Sequence, residues 1–227
     1  MTRIIHHRRN RIEPLRNLPK GSWIEIDIDL CEGMPFVSHD PVVHADKPMR
    51  LEEFLPQALV LGIGGFIFDC KREGAAATVQ PLIDRHNITD YFYLNEMEIQ
   101  ADMSLAKDSR HRSALRIWQY RSAADVIRYA AAATPGWAWI DSWQRGLEQD
   151  IGKAFIPLSG EEARRLKQDG VKLCLCSPEL YAHTYDRIYA PEELEALQGG
   201  VIAWRDKVRQ SGIQADAVCT KFAEVWG

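Results

Sequence analysis

SWIEIDIDLCEGMPFVSHD, residues 22–40, opens with a strict alternation: Ile24, Ile26 and Ile28 take every second position, with Glu25, Asp27 and Asp29 between them. A period of two predicts a β-strand, and on a strand these three acids share one face. Glu25 and Asp27 then stand close enough for their charges to repel and for one pKa to rise. A divalent cation removes that penalty, because hard ions such as Mg²⁺ or Ca²⁺ take carboxylate oxygens as ligands. Glu32-Gly33 predicts a turn, Met34 to Ser38 a short apolar return, and His39-Asp40-Pro41 its close, which brings His39 back beside the acids. The alternative for such a segment is the wet face of an edge strand, with the acids in solvent.

The chain around this segment has 227 residues, a length that suits one well-packed domain over 1–227. Its net charge is −4 with acids and bases interspersed, so there is no basic stripe to track a phosphate backbone, and nucleic acid is excluded as a partner. Cys31, Cys70, Cys174, Cys176 and Cys219 are odd in number and lie in or beside apolar segments, as buried thiols of a reducing compartment do. Cys174-Leu175-Cys176 is not a CxxC pair and has no zinc spacing. MTRIIHHRRN at the start lacks an apolar leader core, and no segment approaches the roughly 18 apolar residues of a membrane span. A cytoplasmic protein is the expectation.

Further strands are predicted at Arg3 to His7, Gly65 to Cys70, Tyr91 to Leu94, Ala114 to Trp118, Trp137 to Ile140, Val171 to Cys176 and Ala217 to Thr220. Helices fall between them. Leu51 to Leu61 has apolar residues at helical spacing, Ala75 to His86 carries Pro81 inside it, and Ser122 caps a helix to Ala133. Ser159-Gly-Glu-Glu opens another, and Pro191 starts a long one to Arg209. Eight short strands alternating with helices predict a parallel sheet closed into a (β/α)₈ TIM barrel, with a doubly wound open sheet as the runner-up.

In such a barrel the chemistry sits at the carboxyl ends of the strands. Polar residues do collect there: His7, Asp27, Asp69 with Lys71, Asn95 with Glu96, Gln119, Asp141, Ser177 with Glu179, and Thr220 with Lys221. Asp141, Glu96 and Glu179 read as capping or loop acids, and Trp118, Trp139 and Trp143 as core or pocket wall. His6 faces away from His7 and reads as structural, while His44, His86, His111 and His183 have no context that singles them out. Two histidines and three acids at neighbouring strand ends offer metal-assisted acid/base catalysis, in which one imidazole accepts a proton while the other donates one. A cation on Glu25, Asp27 and Asp69 suits a phosphate-type substrate, and Arg8 and Lys71 add cationic contacts to its oxygens; the alternative for Asp69 and Lys71 is an ion pair with each other.

His7-Arg8, Glu25-Ile26-Asp27 and His39-Asp40 resemble the His-Arg, Glu-x-Asp and His-Asp motifs of the glycerophosphodiester phosphodiesterases, which belong with the phosphatidylinositol-specific phospholipase C-like barrels. Asp69-Cys70-Lys71 is similar to that family's Glu-x-Lys, and residues 215–222, ADAVCTKF, to its closing strand. The resemblance implies a (β/α)₈ fold, a divalent cation (Mg²⁺ or Ca²⁺) on Glu25, Asp27 and Asp69, and His7 and His39 as the acid/base pair. It also implies a small glycerol- or polyol-phosphodiester as substrate. Three departures stand out: Arg9 takes the place of the Gly in His-Arg-Gly, the shortened first loop lacks the Pro-Glu-Asn-Thr run and keeps only Asn10 and Glu13, and Asp69 replaces a Glu. They motivate two other readings, a barrel that has lost catalysis and serves as a binding protein, and a barrel enzyme on sugar phosphates with Lys71 as its amine.

Overall fold

The structure, a computed structural model, describes residues 2–44, 48–95, 112–133, 136–142, 151–181 and 190–226. Two compact units divide the chain, one spanning Ile5–Ala114 and the other Met1–Ile4 with Leu115–Gly227.

The first unit contains β2 (Trp23–Cys31), to which β1 (Arg3–His6) runs parallel with His6 opposite Ile24. β3 (Met34–Val37) folds back antiparallel on the end of β2, and β4 (Met49–Arg50) pairs with β3. After α1 (Leu51–Val60) comes β5 (Gly65–Cys70), parallel to β2; after α2 (Ala75–Arg85) comes β6 (Tyr91–Asn95), parallel to β5. β7 (Ser113–Ile117) is parallel to β6.

The alternation in β2 sorts its residues into two environments. Ile24, Ile26 and Ile28, with Phe66 and Phe68 of β5, form a buried cluster with Leu51, Phe54, Leu55 and Ala58 of α1 and Val79, Leu82 and Ile83 of α2. Each such side chain contributes about 1.5–3 kcal/mol by leaving water. The intervening acids are buried as well, Glu25 and Asp27 being each 2% exposed. The wet edge strand is thereby ruled out: β2 has β1 on one side and β5 on the other, and both of its faces are covered.

The second unit contains α3 (Ala123–Ala133), β8 (Trp137–Asp141), α4 (Gly160–Gln168), β9 (Lys172–Cys176), α5 (Pro191–Gln210), β10 (Ala217–Thr220) and α6 (Ala223–Trp226). β8 is parallel to β9, and β9 to β10. Leu173, Leu175 and Val218 of its strands pack in one cluster with Leu166 of α4 and Val201, Trp204 and Val208 of α5. Ser159 caps α4 as its sequence predicts: the hydroxyl accepts from Glu162 N–H at 3.2 Å, and the Glu162 carboxylate accepts from Ser159 N–H at 2.8 Å. Ser159→Ala is expected to cost about 1 kcal/mol, read as a fall of roughly 2–4 °C in the thermal midpoint.

The strands follow one another in the order β1-β10-β9-β8-β7-β6-β5-β2, and β1 also pairs with β2. Eight parallel strands therefore close on themselves with helices between them, a (β/α)₈ barrel, and the open doubly wound sheet is excluded. The five cysteines are free thiols, all but Cys31 buried. Among the described residues no helix is long and apolar enough to cross a membrane.

Candidate active site

The pairing of β2 with β5 is the foundation of the site. Trp23 lies opposite Gly65, and four residues on the same register sets Asp27 opposite Asp69. A Cβ at Gly65 would run into the indole ring of Trp23, so glycine is what lets the strands meet in this register. Gly65→Ala is expected to destabilise the fold by about 1–3 kcal/mol, measured by denaturant unfolding.

On the face away from the isoleucines, carboxylate oxygens of Glu25, Asp27 and Asp69 lie within 4.8 Å of one another. The chain leaving β1 wraps this group. Arg8 adopts a left-handed conformation with φ 51°, uncommon for a residue with a side chain. Its N–H donates to Glu25 Oε2 at 2.6 Å, and the next N–H, from Arg9, donates to the Glu25 carbonyl at 2.8 Å. The left-handed residue is thus Arg8; Arg9, which stands where the resembling motif has glycine, has no positive φ. His7 Nε2 is 3.7 Å from Glu25 Oε2. His6 is half-buried, and burial, then the charge of Arg9, lowers its pKa, in keeping with a structural role.

Asn10 clasps Asp27 from both sides, donating from Nδ2 to Oδ2 at 2.6 Å and accepting from Asp27 N–H at 3.0 Å. Lys71 Nζ lies between two of the acids, 2.9 Å from Asp27 Oδ1 and 2.6 Å from Asp69 Oδ2. Arg8 Nε is 3.4 Å from Asp27 Oδ2.

These contacts separate the two strand acids electrostatically. Burial, followed by the charges of Asp27 and Asp69, pushes Glu25 well above the usual carboxylate range. Burial works against ionising Asp27 too, but the Lys71 ammonium and hydrogen bonds from Asn10 and Lys71 outweigh it and hold Asp27 low. Three crowded, all-oxygen donors, one of them with its pKa raised by burial and by its neighbours' charges, fit a hard divalent cation.

His39 follows Ser38, whose N–H donates to the Asp27 carbonyl at 3.0 Å. Its Nδ1 is 3.0 Å from Asp40 Oδ1, its side chain is 43% exposed, and its charge is felt at Asp27. The structure thus gathers Glu25, Asp27, Asp69, Lys71, Arg8 and His7 tightly, with His39 on a loop tied to the same strand. Asn10, which periodicity does not mark and which stands out in the sequence only as a remnant of the resembling family's first loop, joins the site through Asp27.

In the second unit Asp141 is fully buried and ion-paired with Arg116, so it is no loop acid. Glu179, equally buried, accepts from the Thr220 hydroxyl and from Lys221 N–H at 2.9 Å. Trp118 stacks edge-on against Tyr120, and Trp139 is buried in β8. Glu96, His111, Trp143 and His183 lie outside the described residues.

No protein-family model matches the chain, and no curated protein sequence does. Solved structures do. A glycerophosphodiester phosphodiesterase from Agrobacterium tumefaciens matches with a TM-score of 0.62 at 15% identity, over 100% of this chain and 99% of that one. A phosphodiesterase of Oleispira antarctica, in complex with the product sn-glycerol-3-phosphate, gives 0.61 at 14% identity over 98% and 94%. A glycerophosphoryl diester phosphodiesterase from Parabacteroides distasonis gives 0.57 at 12% identity over 99% and 86%. At these identities the likeness is one of fold.

Proposed function

We propose that the chain hydrolyses a small glycerol- or polyol-phosphodiester, with His7 and His39 as its acid/base pair and a divalent cation, Mg²⁺ or Ca²⁺, on Glu25, Asp27 and Asp69. The observation that carries this reading is the buried carboxylate triad with His7 Nε2 3.7 Å from Glu25 Oε2 and Lys71 Nζ between Asp27 and Asp69. The barrel likeness to phosphodiesterases, one of them holding glycerol phosphate, supports it.

Glu25, Asp27 and Asp69 would hold the cation, which when bound would supply positive charge to stabilise negative charge on the phosphoryl oxygens. Arg8 and Lys71 orient the phosphodiester through charge-assisted hydrogen bonds. One imidazole takes the proton from a substrate hydroxyl adjacent to the phosphodiester, and the freed oxygen bonds to phosphorus. The bond from phosphorus to the leaving alcohol breaks, and the second imidazole gives that alcohol its proton. Water then opens the cyclic phosphate with the two histidines in reversed roles. Asp40 Oδ1, 3.0 Å from His39 Nδ1, orients the imidazole ring.

The sugar-phosphate reading needs a nucleophilic amine at Lys71, whereas Nζ stands 2.9 Å from Asp27 Oδ1 and 2.6 Å from Asp69 Oδ2, an ion-paired setting that suits a cationic contact better than a nucleophile. The direct test is release of glycerol phosphate from a panel of glycerophosphodiesters. Turnover should vanish on chelation and return with Mg²⁺ or Ca²⁺; full activity in excess chelator would contradict the assignment.

A further inference from the structure

Asp29 is the third acid of β2, on the same face as Glu25 and Asp27, and only 3% exposed. It has gone to a different task. Its carboxylate is not a member of the triad; its two oxygens are divided between two loops. Oδ2 accepts from Val42 N–H at 3.0 Å, and Oδ1 pairs with Arg72 Nε.

Each of those partners is a near neighbour of a residue in the proposed chemistry. Val42 lies three residues beyond His39, in a segment that is also tied by Ser38 N–H to the Asp27 carbonyl at 3.0 Å and by Ser38 Oγ to the Asp40 carbonyl at 2.6 Å. Those ties fix the entry to the His39 loop; the bond to Val42 fixes its exit. Arg72 directly follows Lys71, whose N–H donates to the Ile28 carbonyl at 2.9 Å. One buried carboxylate therefore anchors both the loop that carries His39 and the strand exit that carries Lys71. Burying an acid is costly unless it is fully engaged, and charge-assisted bonds are about twice as strong as neutral ones.

We propose that Asp29 is a positioning residue, holding the His39 loop and the Lys71 exit loop at the separation that phosphodiester cleavage requires; the inference rests on the phosphodiesterase reading. Asp29 touches no reacting atom and acts through the loops alone. A displacement of about 1 Å at a reacting group can cost a hundredfold in rate, so loosening both loops at once has a large kinetic effect.

The test uses the full chain and three variants. Asp29→Ala removes both ties, Asp29→Asn keeps an acceptor for Val42 and loses the charge pair, and Arg72→Gln loses the pair from its exposed end, the Arg72 side chain being 53% exposed. Readouts are the His39 imidazole resonance by NMR, kcat and KM on a glycerophosphodiester, Ca²⁺ affinity by calorimetry, and the thermal midpoint. Asp29→Ala is expected to shift or broaden the His39 resonance and to lower kcat roughly ten- to a hundredfold, with Ca²⁺ affinity unchanged within about twofold. Asp29→Asn and Arg72→Gln should fall between it and the wild type.

An unmoved His39 resonance in a folded variant, or a kcat loss that only follows the thermal midpoint, overturns the proposal. If Asp29→Ala does not fold, Arg72→Gln and Asp29→Asn decide by the same criteria. A wild-type protein without phosphodiesterase activity overturns the functional reading, and with it the catalytic purpose of the tie; activity that survives unchanged in folded Asp29→Ala overturns this inference alone.

Discussion

His39→Ala is expected to lower turnover of a glycerophosphodiester by about 10²–10⁴-fold, the usual contribution of a general acid or base. The fold should not notice. The His39 side chain is 43% exposed and pairs with an exposed neighbour, Asp40, so its removal opens no core cavity. The thermal midpoint should stay within about 1 °C of wild type, the span of a change of a few tenths of a kcal/mol. Asp40→Asn, which keeps a partner for Nδ1 but removes its charge, should reduce turnover less. Normal activity in His39→Ala would remove His39 from the acid/base pair.

Glu25→Gln is expected to abolish divalent-cation binding while leaving the metal-free protein as stable as wild type, or more so. Burial of Glu25 decides this outcome. Its folded-state pKa is raised, by burial first and then by Asp27 and Asp69, so without a cation folding shifts Glu25 towards its neutral form. Glutamine mimics that neutral form and still accepts from Arg8 N–H, the bond that holds the left-handed turn.

The sign of the pH dependence follows. A raised folded pKa gives stability that is fully present below the ordinary carboxylate range and is lost as pH climbs from there towards the folded value. Metal-free wild type should therefore lose more stability than Glu25→Gln as pH rises. A cation must expel the proton, so its affinity for wild type should strengthen with pH. At a hundredfold excess over its Kd the cation adds about 2.7 kcal/mol, roughly 5–10 °C in the midpoint for a chain of this size. Glu25→Gln and Asp27→Asn should show no such rise. An equal rise in either variant would mean that the ion binds elsewhere.

Much of the scaffold could be read from residues alone, because its signals are local. Alternation in IEIDID, the apolar run GFIFDC and the Ser159 cap each depend on neighbours a few residues away, and the elements lie within a residue or two of where those patterns end. β2 runs on to Cys31 because pairing with β3 continues to Cys31 opposite Met34, a hairpin effect that the alternation does not carry.

The site divides along the same line. That Glu25 and Asp27 share a face follows from strand geometry, whereas their burial depends on β1 and β5 lying on either side. Asp27 and Asp29 look alike in sequence, yet one is held by Asn10 and Lys71 and the other by Arg72, 43 residues away. Arg116 and Asp141, 25 residues apart, meet for the same non-local reason. Such pairings depend on which segments the fold brings together, as the Trp23–Gly65 register does for Asp27 and Asp69, and no periodicity records them.

The most direct test of the central claim is a crystal structure grown with Ca²⁺ and glycerol phosphate. The account expects one cation coordinated by Glu25, Asp27 and Asp69, with the phosphate against it and within hydrogen-bond reach of His7 and His39. Lys71 Nζ should have left at least one of its two carboxylates for a phosphate oxygen. A triad that stays closed around Lys71 with no cation, or a phosphate bound away from both histidines, would contradict it.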